Sequence, residues 1–245
     1  MPSTQLYGDS DIGKTMIDDK FVRDRPNICN QFGEVEARKV LRLQMLSKPN
    51  DGRLYVQIID GLWHKAPYTG RGTDLETLAL RLLHQKPPWM MTVDKVHHLL
   101  AGSVREQRQS LNQLKLLSNE LRMPLVALGT SEALYAMKAD AQIASRLEPF
   151  ALPRWHESAA LRAFVVGFGR LLLHMPSPCG DKAMIQRLLI HSSSLTGKIT
   201  TLLAQAAQPA IRRKTKSTSP DLLIDAAAAG IFKFPVEQDI DDALA

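Results

Sequence analysis

Cysteine is nearly missing: Cys29 and Cys179 are the two in 245 residues, 150 positions apart. That spacing excludes a disulfide framework and a CxxC metal site, and plain thiols in a reducing compartment are the expectation. No apolar run approaches the roughly 20 residues of a membrane span, and Met1 to Lys14 lacks the apolar stretch of a secretion signal. A soluble, cytoplasmic protein is expected. Aromatic residues are only 6%, and no internal repeat is found. Neither charge sign dominates: 31 Lys plus Arg against 25 Asp plus Glu leave +6, which favours polyanionic partners without identifying one. What is plentiful is apolar residue, 44% against 23% charged, which excludes a disordered or collagen-like chain. The length suits one large domain, or a core with a small appendage.

Through the first 150 residues, short apolar clusters alternate with amphipathic stretches. Leu6-Tyr7, Val40 to Met45, Trp89 to Val93, Leu125 to Leu128 and Phe150 to Leu152 read as strands. Leu54 to Trp63, Asp74 to His84, Ser103 to Arg122 and Glu132 to Ala139 carry apolar residues at three- and four-residue spacing and read as helices. The alternation predicts an α/β fold, with a mainly parallel sheet covered on both faces. After Pro153 the strand signals stop. Glu157 to Leu173, Asp181 to His191 and Thr196 to Ile211 are helical in period, broken at Pro176, Pro178 and Gly197. Three parts are expected: a core over 1–153, a helical domain over 154–211, and a segment over 212–245. The last begins with the basic run Arg212 to Lys216, holds an apolar helix near Leu222 to Ala229, and ends in an acidic tail from Glu237 to Ala245.

Gly8-Asp9-Ser10-Asp11-Ile12-Gly13-Lys14-Thr15 fits the phosphate-loop pattern GxxxxGK[ST]. The chemistry needs glycines so that backbone amides can curl around a phosphate. It also needs a lysine for the β- and γ-phosphates, and a hydroxyl for Mg²⁺ at the helix start. A strand precedes the loop and a helical pattern follows it; the bland alternative is a solvent-exposed turn. A second element is Trp89-Met90-Met91-Thr92-Val93-Asp94, an apolar strand ending in aspartate 80 residues after Lys14. Beside a phosphate loop such an aspartate completes the Mg²⁺ shell, directly or through water; alone it reads equally as a helix cap.

Three strings then resemble a known family: Val93 to Arg108 (VDKVHHLLAGSVREQR), Leu125 to Thr130 (LVALGT), and Ala144 to Trp155 (ASRLEPFALPRW). In order, and over about residues 4–212, they are similar to TniB, the AAA+ ATPase of transposons related to TnsC and the Mu B protein. The resemblance implies a P-loop NTPase core of AAA+ type with a small C-terminal helical lid. It further implies ATP and Mg²⁺ as ligands, an oligomer in the form of a ring or filament on duplex DNA, and a transposase as partner. By position, Thr130 matches sensor 1 near the γ-phosphate. Arg146 matches the arginine finger offered to a neighbouring subunit, its alternative being a surface or Glu148-paired arginine. Arg105, Arg108 and Lys115 lie where family members contact the DNA backbone, or else on a solvated helix face.

The chain departs from the family in three places. Where the family has Asp-Glu at the end of the third strand, Asp94 is followed by Lys95. A carboxylate takes a proton from water and an ammonium ion does not, so ATP binding with slow or absent hydrolysis is expected. Glu132 is the alternative carboxylate. Only seven residues precede Gly8, fewer than in the family, whose longer N-terminal segment helps hold adenine and contacts the transposase. That leaves two readings, a truncated chain or a weakly held base. Where many AAA+ lids place a sensor 2 arginine, Gly197 is followed three positions on by Thr200, with Lys198 between them as a phosphate contact or a solvated helix-start lysine.

His97 and His98 are adjacent, which suits a shared metal poorly, and packing or capping is expected for both. No GxSxG or HExxH pattern and no Cys/His arrangement for covalent catalysis occurs. The expected function is an ATP-binding regulator of transposition that oligomerises on DNA. The alternatives are a non-catalytic or decayed interaction subunit, and a P-loop ATPase unrelated to DNA.

Overall fold

The computed structural model describes residues 3–29, 31, 35–46, 51–63, 72–120, 122–173 and 180–212. The chain divides into two compact units, Met1–Pro153 and Arg154–Ala245. In chain order the first holds Ser3–Tyr7 (β1), Lys14–Arg23 (α1), Ile28–Cys29 (β2), Val35–Ala37 (β3), Val40–Gln44 (β4), Asp51–Leu62 (α2) and Gly72–Gln85 (α3). Then follow Met90–Asp94 (β5), a 3₁₀ turn over Val96–Ala101, Val104–Glu120 (α4), Leu125–Gly129 (β6), Ala133–Lys138 (α5), Ala141–Ala144 (α6) and Leu147–Ala151 (β7). Ala159–Leu173 (α7), Lys182–His191 (α8) and Thr196–Arg212 (α9) are the helices among the described residues of the second unit.

Five strands form one parallel sheet in the order β4-β5-β6-β1-β7. β5 and β6 are central and close to continuously apolar: Met91, Val93, Leu125, Ala127 and Leu128 are buried, as a sheet with both faces covered requires. Against them pack Leu41 and Leu43 of β4, Ile58 and Ile59 of α2, Leu83 of α3, and Leu111, Leu114 and Leu117 of α4. Each such burial is worth about 1.5–3 kcal/mol.

The edge strand β7 differs in its bounds from the expected strand over Phe150–Leu152. It starts at Leu147 and is exposed from Glu148 to Ala151. Pro149 lacks an amide hydrogen, a lack that an edge strand tolerates, and among the described residues β7 pairs only with β1. The antiparallel pair β2-β3 had no counterpart in the periodicity, being two and three residues long. Its Cys29 is a free, exposed thiol.

In the second unit, Leu161 and Val165 of α7, Met184, Ile185 and Leu188 of α8, and Ile199, Leu202, Leu203 and Ala206 of α9 form a separate core. Trp155 stacks on Phe164, and its indole N–H donates to the Thr196 hydroxyl at 2.9 Å. Pro176, Pro178, Cys179, most of the basic run after Arg212, the Leu222–Ala229 helix and the acidic tail lie outside the described residues. No helix among the described residues is long and apolar enough to cross a membrane.

Candidate functional site

In parallel sheets, ligand sites form beyond the carboxyl ends of the strands, and here β1, β5 and β6 each deliver a polar group to that edge. β1 runs into the loop Gly8 to Thr15. The Gly8 amide donates to the Gly129 carbonyl at 3.3 Å, and a Cβ on Gly8 would stand 3.1 Å from the Leu152 carbonyl oxygen. The loop then turns through two left-handed residues, Asp11 at φ 62° and Gly13 at φ 106°, the second capping α1. Glycine takes this conformation without steric cost.

Lys14 opens α1 and folds its ammonium back over the loop, donating to the carbonyls of Gly8 at 2.9 Å and Asp9 at 2.6 Å. Burial pushes it below the usual lysine range, outweighing the carboxylates of Asp94, Asp9 and Asp11. Ile12 is buried, whereas Ser10 is exposed. Thr15, 79 positions from Asp94, donates its hydroxyl to the Asp94 carboxylate at 2.8 Å. The other Asp94 oxygen accepts the Lys95 amide at 2.7 Å. Lys95 is itself left-handed, φ 58°, because the chain turns sharply there from β5 into the 3₁₀ helix.

The third group is Thr130, directly after β6. Its hydroxyl oxygen is buried and has no hydrogen-bond partner among the described residues. Its backbone amide donates to Nδ1 of His97 at 3.4 Å. Burial, and after it His98, push the His97 imidazole below the usual histidine range; Glu132 and Asp94 act the other way and Lys14 adds to the lowering. His97 thus takes up a backbone amide, within the packing or capping expected of it, and also feels the charges of Lys14, Asp94 and Glu132. His98 does fit a capping role, meeting the Met45 carbonyl at 3.0 Å through Nδ1. Glu132 is exposed just ahead of α5.

A cluster missed in the sequence fixes the loop's helix. Arg42 of β4 reaches Asp18 at 2.8 Å and Asp19 at 2.5 Å, and Asp18 is only 4% exposed. Burial raises the Asp18 carboxyl above the usual range, and Arg42 and Thr92 act against it.

The remaining predicted residues lie on α4, between α6 and β7, and on α9. Arg105 and Arg108 are exposed on α4, whose start is a capping box between Ser103 and Glu106. Lys115, expected with them as a DNA contact, donates to Asp140 at 2.7 Å. Asp140 also caps α6 through the amides of Gln142 and Ile143. Arg146 is exposed and donates to the Asn119 side chain, where a Glu148 pairing was the alternative. In the second unit, the Thr200 hydroxyl is turned onto the Gly197 carbonyl at 2.9 Å, and Lys198 lies in the first turn of α9.

Among the described residues no group of three His, Cys, Asp or Glu could hold a metal ion. The oxygen pair of Thr15 and Asp94 suits Mg²⁺ in another way, since that ion is held by one or two protein oxygens with phosphate and water. The unpaired Thr130 hydroxyl is a polar atom that costs about 1–3 kcal/mol until a partner arrives. Residues and loop together fit a nucleotide with its cation.

The family model described as Bacterial TniB protein matches residues 1–157. The chain belongs to the TniB family. No curated protein matches it by sequence. Solved structures similar to it include the Aeropyrum pernix ORC2 protein, in ADPNP-ADP complexes, at 17% identity and TM-score 0.66, covering 94% of this chain and 62% of that one. The Aeropyrum pernix ORC1 protein in complex with DNA is 16% identical with TM-score 0.63, over 93% and 59%. The Thermotoga maritima RuvB Holliday junction branch migration motor is 10% identical with TM-score 0.55, over 94% and 62%. At such identities the likeness establishes the fold, that of an AAA+ P-loop ATPase. This TniB-family chain spans about three-fifths of the length of those neighbours.

Proposed function

We propose that this TniB-family chain is an ATP-binding switch in transposition that assembles on duplex DNA and couples it to a transposase, with hydrolysis weak or absent. The observation that carries the nucleotide reading is the hydrogen bond from Thr15 to Asp94, which joins the phosphate loop to the strand-end carboxylate beside Lys14. In this reading the loop amides from Gly8 to Thr15 wrap the phosphates and Lys14 leaves its two carbonyls for the β- and γ-phosphates. Thr15 and Asp94 hold Mg²⁺, which when bound neutralises charge on the β- and γ-oxygens. Thr130 faces the γ-phosphate with its unpaired hydroxyl. Lys95 offers an ammonium where the family offers a carboxylate, so no base stands there to take a proton from the attacking water.

DNA engagement draws support from the exposed Arg105 and Arg108, the +6 charge, and the likeness to a DNA-bound ORC1 protein. Such backbone contacts carry no sequence preference and weaken with salt. Arg146 acts in trans after exchanging Asn119 for the neighbouring subunit's nucleotide. Lys95 also favours a second reading, a non-catalytic subunit that joins filaments of active copies.

The test is equilibrium binding of ATP with and without Mg²⁺, then binding of labelled duplex DNA with and without ATP at two salt concentrations, with particle mass followed in parallel. The switch reading expects ATP-dependent, salt-sensitive DNA binding and growth in mass. Nucleotide-independent behaviour supports the subunit reading, and failure to bind DNA at low salt points to a P-loop ATPase unrelated to DNA.

A further inference from the structure

The turn after β5 carries a histidine that the nucleotide reading leaves without a task. Its Nδ1 accepts the Thr130 amide hydrogen, so the neutral ring carries its proton on Nε2. Nε2 is then a donor and not a base, and His97 does not replace the missing carboxylate in activating water. Its connection runs to Thr130. The two are 33 positions apart, and the contact between their elements is close by construction. A Cβ on Gly129 would stand 2.9 Å from Val96 Cγ2 and 2.6 Å from Ala133 Cβ. Only a residue without a side chain lets the 3₁₀ turn sit directly on the end of β6. Thr130, the next residue, is thereby held by its own backbone amide on one side, and its buried hydroxyl has no partner among the described residues.

We propose that His97 is a positioning residue for nucleotide discrimination: it fixes the Thr130 amide, and with it the Thr130 hydroxyl, so that a nucleotide with a γ-phosphate is distinguished from one without. The proposal rests on the nucleotide reading above. A hydroxyl held in place needs no reordering when the γ-phosphate arrives, so the γ-phosphate gains more from it. ADP ends before that hydroxyl and is indifferent to it.

The experiment measures dissociation constants of ADPNP and ADP, each with Mg²⁺, for the full chain and for His97→Ala, His97→Asn, Thr130→Val and the His97→Ala/Thr130→Val double variant. In His97→Asn the amide oxygen stands in for Nδ1 as acceptor. The unmodified chain is expected to prefer ADPNP. His97→Ala weakens ADPNP about tenfold, the scale of one lost hydrogen bond, and leaves ADP unchanged. His97→Asn restores most of the preference, and the double variant loses no more than the worse single. Equal loss for both nucleotides in His97→Ala, no rescue by Asn, or additive losses in the double variant overturn the proposal, leaving His97 a packing residue. A chain that binds both nucleotides equally well overturns it too, while the nucleotide site stands. If Lys14→Ala binds ADPNP as well as the unmodified chain does, the nucleotide reading itself fails and this proposal with it.

Discussion

The carboxyl edge of the sheet and the face formed by α4 and α6 are both rich in polar groups, yet they are built differently. At the edge, groups from three strands meet through short side chains and backbone amides: Thr15 on Asp94, Asp94 on its own next amide, Thr130 on His97. On the α4-α6 face the groups are long cations, and two have found internal partners, Lys115 on Asp140 and Arg146 on Asn119. Backbone turns hold the first arrangement in the isolated chain. Flexible side chains make the second and can exchange partners, as the proposed DNA and subunit contacts require. A nucleotide role is therefore testable on the single chain, and a DNA or finger role needs the partner present.

The contrast is broken most strongly at Lys14. Lys14→Ala should weaken ATP about 100-fold, the scale of losing charged hydrogen bonds to phosphate, with the thermal midpoint of the ligand-free chain unchanged or raised, since a half-buried cation is removed. Calorimetry and a melting curve check both. Next is Arg42, which secures the loop's helix. Arg42→Ala leaves Asp18 buried without its cation and should cost about 2 kcal/mol in urea unfolding, less than a fully buried pair because Arg42 is partly exposed. Asp18→Asn in the same chain should recover most of it.

Asp18 also sets a pH dependence. Its folded-state pKa lies above the unfolded one, so the folded chain holds the proton in the window between them, and stability contributed by this group rises as pH falls through it. The unmodified chain should gain on Asp18→Asn as pH is lowered from neutral toward 4, read by urea titrations at each pH.

Smaller effects sharpen the other side of the comparison. Asp140→Ala removes the α6 cap and frees Lys115, which should cost about 1 kcal/mol and raise DNA affinity at low salt if Lys115 belongs to the footprint. Arg105→Ala and Arg108→Ala should each lower the slope of log affinity against log salt by about 1, with stability unchanged.

The same contrast explains what could be read from the residues alone. Gly13, Lys14 and Thr15 stand out because the phosphate-loop pattern asks for those types in consecutive positions, and Asp94 because an apolar strand ends there; the structure brings Thr15 and Asp94 together. The five sheet strands and the main helices followed from periodicity. The partners of His97, Arg42 and Asp18 did not, because each lies dozens of positions away, brought close by the packing at Gly129 or by β4 lying against α1. β2 and β3 were too short to carry a period, and β7 began earlier than its apolar end because Glu148 and Pro149 are tolerated at an exposed sheet edge. The pairing of Lys115 with Asp140 was equally hidden: both look like ordinary surface charges until α4 and α6 lie side by side.

The central claim is that the site holds ATP while Lys95 denies it a water-activating base. Steady-state ATP hydrolysis, with and without duplex DNA, on this chain and on Lys95→Glu, with nucleotide binding measured in parallel, tests it most directly. The account predicts that both bind ATP and that Lys95→Glu turns over about 10²- to 10⁴-fold faster. If the unmodified chain already hydrolyses ATP as fast as the Glu variant, Lys95 is no block and another carboxylate activates the water.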